Sequence, residues 1–289
     1  MTVNLRRSTL YVPGDSEKML QKCVSVPSDI LLLNLEDGVA SSKKSIAREN
    51  IANALLTADF GDHEIVVRIN PLNTEAGQAD LAKIVPLGPD GICLPKIENA
   101  SEIQAADSAI LKLETGSSLA EGKIRLHAMI ESAKGVLHAP DIAAASGRMG
   151  SLIFGSADYA SDVRCQPGEG RFELLFALQM IVTAARSAGI TAIDAPCFDI
   201  RNHDLLQRES NVARHLGYDG KSALHPDQLA IINQVFDVTP EEIAWAEKIL
   251  LELDKAEDRG RALTTIDGKL VDNPHRSAAE RILGRKKSH

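Results

Sequence analysis

The sequence predicts an α/β protein, a (β/α)8 barrel of the TIM type with a C-terminal helical and extended arm acting as a lid. Three observations predict it. Eight short apolar runs recur over about 240 residues, with helix-period segments between them. Most of these runs are continuously apolar rather than alternating, as parallel strands covered on both faces must be. No GxGxxG or P-loop signature follows the first run, which argues against the doubly wound open sheet.

The first run, STLYV (8–12), ends on Pro13-Gly14, and SEKMLQKCV follows with Asp15 or Ser16 placed to cap a helix. ILLLNL (30–35) leads into KSIARENIANALL, whose apolar and small residues recur at helical spacing. EIVVRI (64–69) and GICLPK (91–96) are the third and fourth strands, and NASEIQAADSAILKLE is a helix opened by Asn99 or Ser101. IRLHAMI (124–130) is the fifth strand, and the proline in KGVLHAPDIAAAS splits that stretch into two short helices. SLIFG (151–155) precedes the long apolar helix RFELLFALQMIVTAARSAG, which stops on Gly189. ITAID (190–194) is followed by HDLLQRESNVARHLG, stopping on Gly217. KSALH (221–225) is the eighth and weakest strand, and PDQLAIINQVF begins with Pro226 at a first helical position.

The barrel domain is thus 1–238, and 239–289 is an appendix that barrel closure does not need. TPEEIAWAEKILLELDKAEDRG is amphipathic, with Thr239 and Glu242 in capping-box spacing. An extended stretch turns at Asp267-Gly268, and a last helix starts near Pro274. The appendix is a candidate lid or subunit-crossing arm.

Composition excludes several classes of function. The 289 residues are 44% apolar and 25% charged, which suits a packed core and not a disordered chain. A net charge of −8 without a long basic block argues against nucleic acid. Cys23, Cys93, Cys165 and Cys197 form no CxxC pair, so a reducing, cytoplasmic setting is expected. The apolar helix carries Glu173, Gln179 and Arg186, too many polar groups for a membrane span.

In such a barrel the site is built at the carboxyl ends of the strands. Those ends carry Pro13-Gly14, Glu36-Asp37, Arg68, Lys96, Glu131, Asp158, Asp194 and His225. Glu131 ends a buried strand, where an unpaired charge is expensive. Asp158 follows the next strand, and neighbouring strands lie about 4.8 Å apart. A divalent cation between the two carboxylates resolves their repulsion, and Mg²⁺ is commonly held that way. Each acid can instead cap a helix or meet a lysine. Gly155, Ser156 and Ala157 are small enough for their backbone N–H groups to approach an anion, or simply to turn the chain. Arg68 suits a substrate carboxylate or an internal pair with Glu36 or Asp37. Lys96 is a Schiff-base candidate or a partner of nearby acids, and His225 a general base or a structural hydrogen-bonding residue.

With these residues in place, the chain resembles the citrate lyase beta subunit-like family of the HpcH/HpaI aldolase superfamily. The matching stretches are RRSTLYVPG, LEDGV with Lys44 and Arg48 after it, VVRINP, LPKIE, AMIES, FGSADYASD, GKSALHP and DGKLVDNP. The resemblance implies a Mg²⁺ site on Glu131 and Asp158, with Arg68 and the backbone of Gly155, Ser156 and Ala157, beside Pro13, receiving a keto-acid carboxylate. It implies cleavage of a 3-hydroxyacyl-CoA thioester of the citramalyl-CoA or malyl-CoA type to a keto acid and an acyl-CoA. It places an acid/base role on Asp272, reaching a neighbouring subunit's site in a homotrimer or hexamer, with Glu36, Asp37 and Lys96 as outer support. The family also includes citrate lyase subunits acting on a citryl-acyl-carrier thioester and malyl-CoA thioesterases. Two positions depart from the family pattern. Asn34 stands where Asp is usual, and Ala157 where Glu is usual, so negative charge is removed near the metal; a non-catalytic binding barrel is the alternative those departures support.

Overall fold

A computed structural model gives the structure of the protein and describes residues 5–286 except 167 and 169. The chain divides into a barrel unit, Arg6–Phe236, and a smaller unit that begins at Asp237.

The barrel unit is a closed ring of eight parallel strands in sequence order: β1 (Ser8–Pro13), β2 (Ile30–Asn34), β3 (Glu64–Arg68), β4 (Gly91–Leu94), β5 (Arg125–Ile130), β6 (Met149–Phe154), β7 (Thr191–Asp194) and β8 (Gly220–Ala223). The ring closes where Thr9 pairs with Ser222. Alternate residues take opposite sides of the pleat. Ile30, Leu32, Val66, Cys93, Met129, Ile153 and Ile193 form one cluster, the barrel interior. The other parity, including Leu31, Leu33, Ile65, Val67, Leu126 and Leu152, joins the helices in the larger core. Burial on both faces is why these runs read as continuously apolar.

The helices between strands are α1 (Glu17–Lys22), α2 (Lys44–Thr57), α3 (Glu75–Ile84), α4 (Ala100–Gly116), the pair α5 (Ala133–Leu137) and α6 (Ala139–Ala143), α7 (Ser156–Asp162), α8 (Leu175–Ser187), α9 (His203–Leu216) and α10 (Leu229–Phe236). Short polar side chains start several of them. Ser16 caps α1, and Asn99 forms a capping box with Glu102 on α4. Gly217, at φ 100°, ends α9 in the left-handed conformation that glycine adopts without a Cβ penalty.

Two helices have no counterpart among the segments read from sequence. The first, α3, carries small and polar residues instead of a broad apolar stripe; Thr74 caps it, accepting from the Gly77 amide at 3.1 Å. The second, α7, lies within FGSADYASD, where the sequence suggests only a turn. The last strand also stops at Ala223, short of the 225 expected, because the Leu224 amide donates to Gln228 Oε1 at 2.8 Å and leaves the ladder.

In the smaller unit, α11 (Pro240–Glu257) opens with the Thr239–Glu242 capping box. The hairpin β9 (Thr264–Ile266) and β10 (Lys269–Val271) turns at Asp267-Gly268, both at positive φ, and α12 (Asn273–Lys286) follows. Ala246, Ile249, Leu253, Ile266, Val271 and Ala279 form its core.

Candidate active site

The inward parity of β2, β3 and β5 continues upward from Leu32, Val66 and Met129 to Asn34, Arg68 and Glu131. These polar residues therefore sit above the apolar barrel interior. They open onto a cavity of about 700 Å³, also lined by Tyr11, Pro13, Asp37, Gly155, Ser156, Ala157, Asp158 and His225.

The loop after β2 is shaped by Asn34. Its Nδ2 donates to the Asp37 carbonyl, and its Oδ1 accepts from the Glu36 amide at 3.1 Å. Lys44 Nζ holds the same loop from α2, donating to the carbonyls of Leu35 at 2.8 Å and Glu36 at 2.6 Å. Burial lowers the pKa of that ammonium, while Asp37 and Asp80 oppose the shift. The loop after β3 is tied down by Asp80, which accepts from the Asn70 amide at 3.0 Å, from Asn70 Nδ2 at 2.6 Å and from Arg48 Nε at 2.6 Å. Lys44 and Arg48, read as part of one sequence stretch, thus brace two successive loops.

Arg68 is buried and ion-paired with Glu36, with Asp37 at 3.7 Å. The internal pairing read as one alternative from sequence is therefore present. It does not use the whole guanidinium: Nε is buried without a hydrogen-bond partner, and Cζ lies 5.8 Å from the Tyr11 ring centroid. Lys96 Nζ reaches Glu36 at 3.5 Å and Asp37 at 3.3 Å.

Glu131 is only 3% exposed, and its Oε1 accepts the Lys96 backbone N–H at 2.7 Å. Burial pushes its carboxyl pKa up; Arg68 and the Lys96 amide pull against that, and Asp158 adds to it. Any Cβ at residue 155 would collide with the Glu131 carboxylate, so only glycine lets β6 pass this close. Asp158 lies in the first turn of α7, lines the cavity, and has no ion pair among the described residues. No side chain caps α7, so amides of its first turn face outward from the helix start.

A buried carboxylate whose pKa burial pushes up and a second carboxylate without an ion pair among the described residues, both opening onto one cavity, fit a hard divalent ion that keeps part of its water shell. Among the described residues no group of three or more His, Cys, Asp and Glu side chains is arranged as a metal cluster.

The other sequence candidates separate. His225 lines the cavity while its Nδ1 accepts from the Asp227 amide at 3.2 Å, a capping role. Asp194 is a correction. It stands one position from inward-facing Ile193, so it points out of the barrel, where it accepts from Arg171 Nη1 and Nη2 at 2.8 Å each and from Lys221 Nζ at 2.7 Å. Although burial works the other way, Arg171 and Lys221 hold its pKa down to about 2. Asp272 belongs to the smaller unit, where its Oδ1 lies 2.7 Å from His275 Nδ1. Tyr11 was not singled out from sequence, although period-two alternation with Thr9 and Pro13 marks it as inward.

The HpcH/HpaI aldolase/citrate lyase family matches residues 7–226, and the family of carbon–carbon bond lyases of the TIM-barrel fold matches residues 175–289. A citrate lyase subunit beta from Haemophilus influenzae is 35% identical, covering 99% of this chain and 98% of its own. A (3S)-malyl-CoA thioesterase from Cereibacter sphaeroides is 33% identical over 96% and 94% of the two chains. The crystal structure of protein CitE from Mycobacterium tuberculosis, in complex with magnesium, acetoacetate and coenzyme A, is 25% identical and covers 98% of each chain, with a TM-score of 0.79. The chain belongs to the HpcH/HpaI aldolase/citrate lyase family. Among the described residues, no helix is long and apolar enough to cross a membrane.

Proposed function

We propose that this family member is a Mg²⁺-dependent lyase that cleaves a 3-hydroxyacyl-CoA thioester of the citramalyl-CoA or malyl-CoA type to pyruvate or glyoxylate and an acyl-CoA. The observation that carries the proposal is the placing of Glu131 and Asp158 on one cavity with Arg68, in a family whose members act as carbon–carbon lyases.

Glu131 and Asp158 would hold the ion, which when bound supplies Lewis-acid polarisation of substrate oxygens. Arg68 and the free amides at the start of α7 orient the substrate carboxylate, so that the scissile bond is held in one geometry. Glu36, Asp37 and Lys96 keep Arg68 in place. The hydroxyl gives its proton to solvent water, the bond to the carbon next to the thioester breaks, and its electron pair becomes the thioester enolate. The hydroxyl-bearing carbon leaves as the keto acid. Asp272 of a second copy protonates the enolate carbon, and removes the same proton in the condensation direction. This role makes the working form a homo-oligomer, a trimer or hexamer.

The thioesterase relative supports a second reading, in which the acyl-CoA leaves by hydrolysis. One assay separates the two. Malyl-, methylmalyl-, citramalyl- and citryl-thioesters are incubated with Mg²⁺, and keto acid and free thiol are both followed. Keto acid without free thiol is expected for the lyase, and free thiol with intact malate for the thioesterase. Turnover that persists in EDTA sinks the metal-dependent scheme.

A further inference from the structure

The end of β4 contains an irregularity whose consequence reaches Glu131. The ladder between β4 and β5 is regular from Gly91 opposite Arg125 to Leu94 opposite Ala128. Continued without interruption, a parallel ladder gives the Met129 carbonyl to the amide of residue 96. That carbonyl is instead taken by Ile97 N–H, at 3.2 Å. One residue has been inserted on the β4 side, which is a bulge. The inserted residue is Lys96, at φ 53°, a conformation that L side chains other than Asn and Asp rarely adopt.

The bulge frees one amide from the ladder, and that amide donates to Glu131 Oε1 at 2.7 Å. The other carboxylate oxygen, Oε2, lies against Gly155, where any Cβ would collide with it. The carboxylate is therefore held from both sides: by an amide that only the bulge makes available, and by a strand that only glycine lets come close. The ammonium of Lys96 plays a separate part, 46% exposed and turned to Glu36 and Asp37.

We infer that Lys96 is a positioning residue for Glu131 and acts through its left-handed backbone, the bulge aiming its amide at Oε1 and so fixing how Glu131 presents itself to a divalent cation. The inference rests on the proposed cation reading only for its functional consequence; the clamp itself exists without a metal. Active sites commonly retain such uncommon backbone conformations where the surroundings enforce them.

The test uses the full-length protein and two readouts other than turnover: hydrogen exchange at the residue-96 amide and Mn²⁺ affinity by calorimetry. Both variants delete the ammonium beside Glu36 and Asp37, so they are read against each other. Lys96→Gly keeps the amide and accepts positive φ, and its residue-96 protection should stay within about twofold of wild type. Lys96→Val keeps an amide, but its branched Cβ opposes positive φ; against Lys96→Gly, exchange should quicken and Mn²⁺ affinity fall by about tenfold or more. Should Lys96→Val fail to fold, Glu131→Ala reports the same contact from the other side, and should speed exchange at residue 96 about tenfold. Equal losses in the Gly and Val variants, or a residue-96 amide unaffected by Glu131→Ala, overturn the inference. If wild type binds no Mn²⁺ while its Lys96 amide is protected by Glu131, the cation reading falls and the positioning stands.

Discussion

Glu131 and Asp194 are both carboxylates at the carboxyl ends of barrel strands, and the fold treats them in opposite ways. Asp194 faces outward into the layer between strands and helices, with Arg171 and Lys221 on it and Glu209 3.1 Å from Lys221. Glu131 faces inward onto the cavity, with one amide on Oε1 and Arg68 already committed to Glu36. One pKa is pulled down to about 2, and the other is pushed up. The pleat decides between them: a shift of one position along a strand exchanges a fully compensated staple for an acid still short of a counter-charge. The contrast is between a residue spent on stability and one kept available for chemistry.

The contrast predicts that the two residues separate stability from activity. The largest effect is expected from Asp194→Asn. It leaves Arg171 and Lys221 buried with their shared carboxylate gone, and should cost about 3–5 kcal/mol of unfolding free energy, read from urea melts. Glu131→Gln keeps the shape and the acceptor for the Lys96 amide. It should lower lyase turnover by about 100-fold or more while leaving the urea midpoint unchanged or raised, since an incompletely compensated buried charge is removed. A Glu131→Gln protein that melts early with unimpaired turnover would erase the distinction between the two residues.

A smaller effect sharpens the same contrast through pH. The Asp194 carboxyl is depressed from 3.8 to about 2 in the folded protein. A depressed acid contributes stability that is present above its unfolded value and lost as pH falls through the folded one. The window is therefore from about pH 4 down to about pH 2, and the contribution about 2 kcal/mol. Urea midpoints of wild type and Asp194→Asn should converge by about that amount between pH 5 and pH 2. Parallel curves would mean that the ion cluster does not hold the carboxyl down.

How much of this was legible follows the same parity. The eight strands were readable because continuous apolar runs are what two-sided burial demands. Glu131, Asp158, Arg68 and Lys96 were readable as candidates because charges interrupt those runs at their ends. The same continuity hid the direction of Asp194: in TAID both neighbours are apolar, so no alternation marks which face the aspartate takes. The α3 helix was hidden because its residues are small and polar, and its start is set by one threonine cap. The bulge at Lys96 leaves no trace in LPKIE, since it is a matter of one backbone angle and one displaced hydrogen bond. Asn34, read as a lost charge, is occupied by two hydrogen bonds that shape its loop, which a single sequence does not display.

The smallest predicted effect concerns Tyr11, on the cavity side of the contrast. Glu36 neutralises one side of the Arg68 guanidinium, and the Tyr11 ring lies 5.8 Å from Cζ on its face. Burial raises the Tyr11 pKa to about 12, with Arg68 opposing the rise, so the phenol remains neutral and the ring keeps its negative face. Such a contact contributes about 1 kcal/mol where it is partly desolvated. It orients Arg68 without meeting the breaking bond, so its loss should raise KM about fivefold and leave kcat nearly unchanged. Tyr11→Leu removes the ring face, whereas Tyr11→Phe preserves it and deletes only the hydroxyl. The Leu variant should carry the KM increase and the Phe variant should not. Equal KM values in the two variants would show that Glu36 alone orients Arg68; a fall in kcat confined to Tyr11→Phe would instead place the hydroxyl in the chemistry, where burial has made it a poor proton donor.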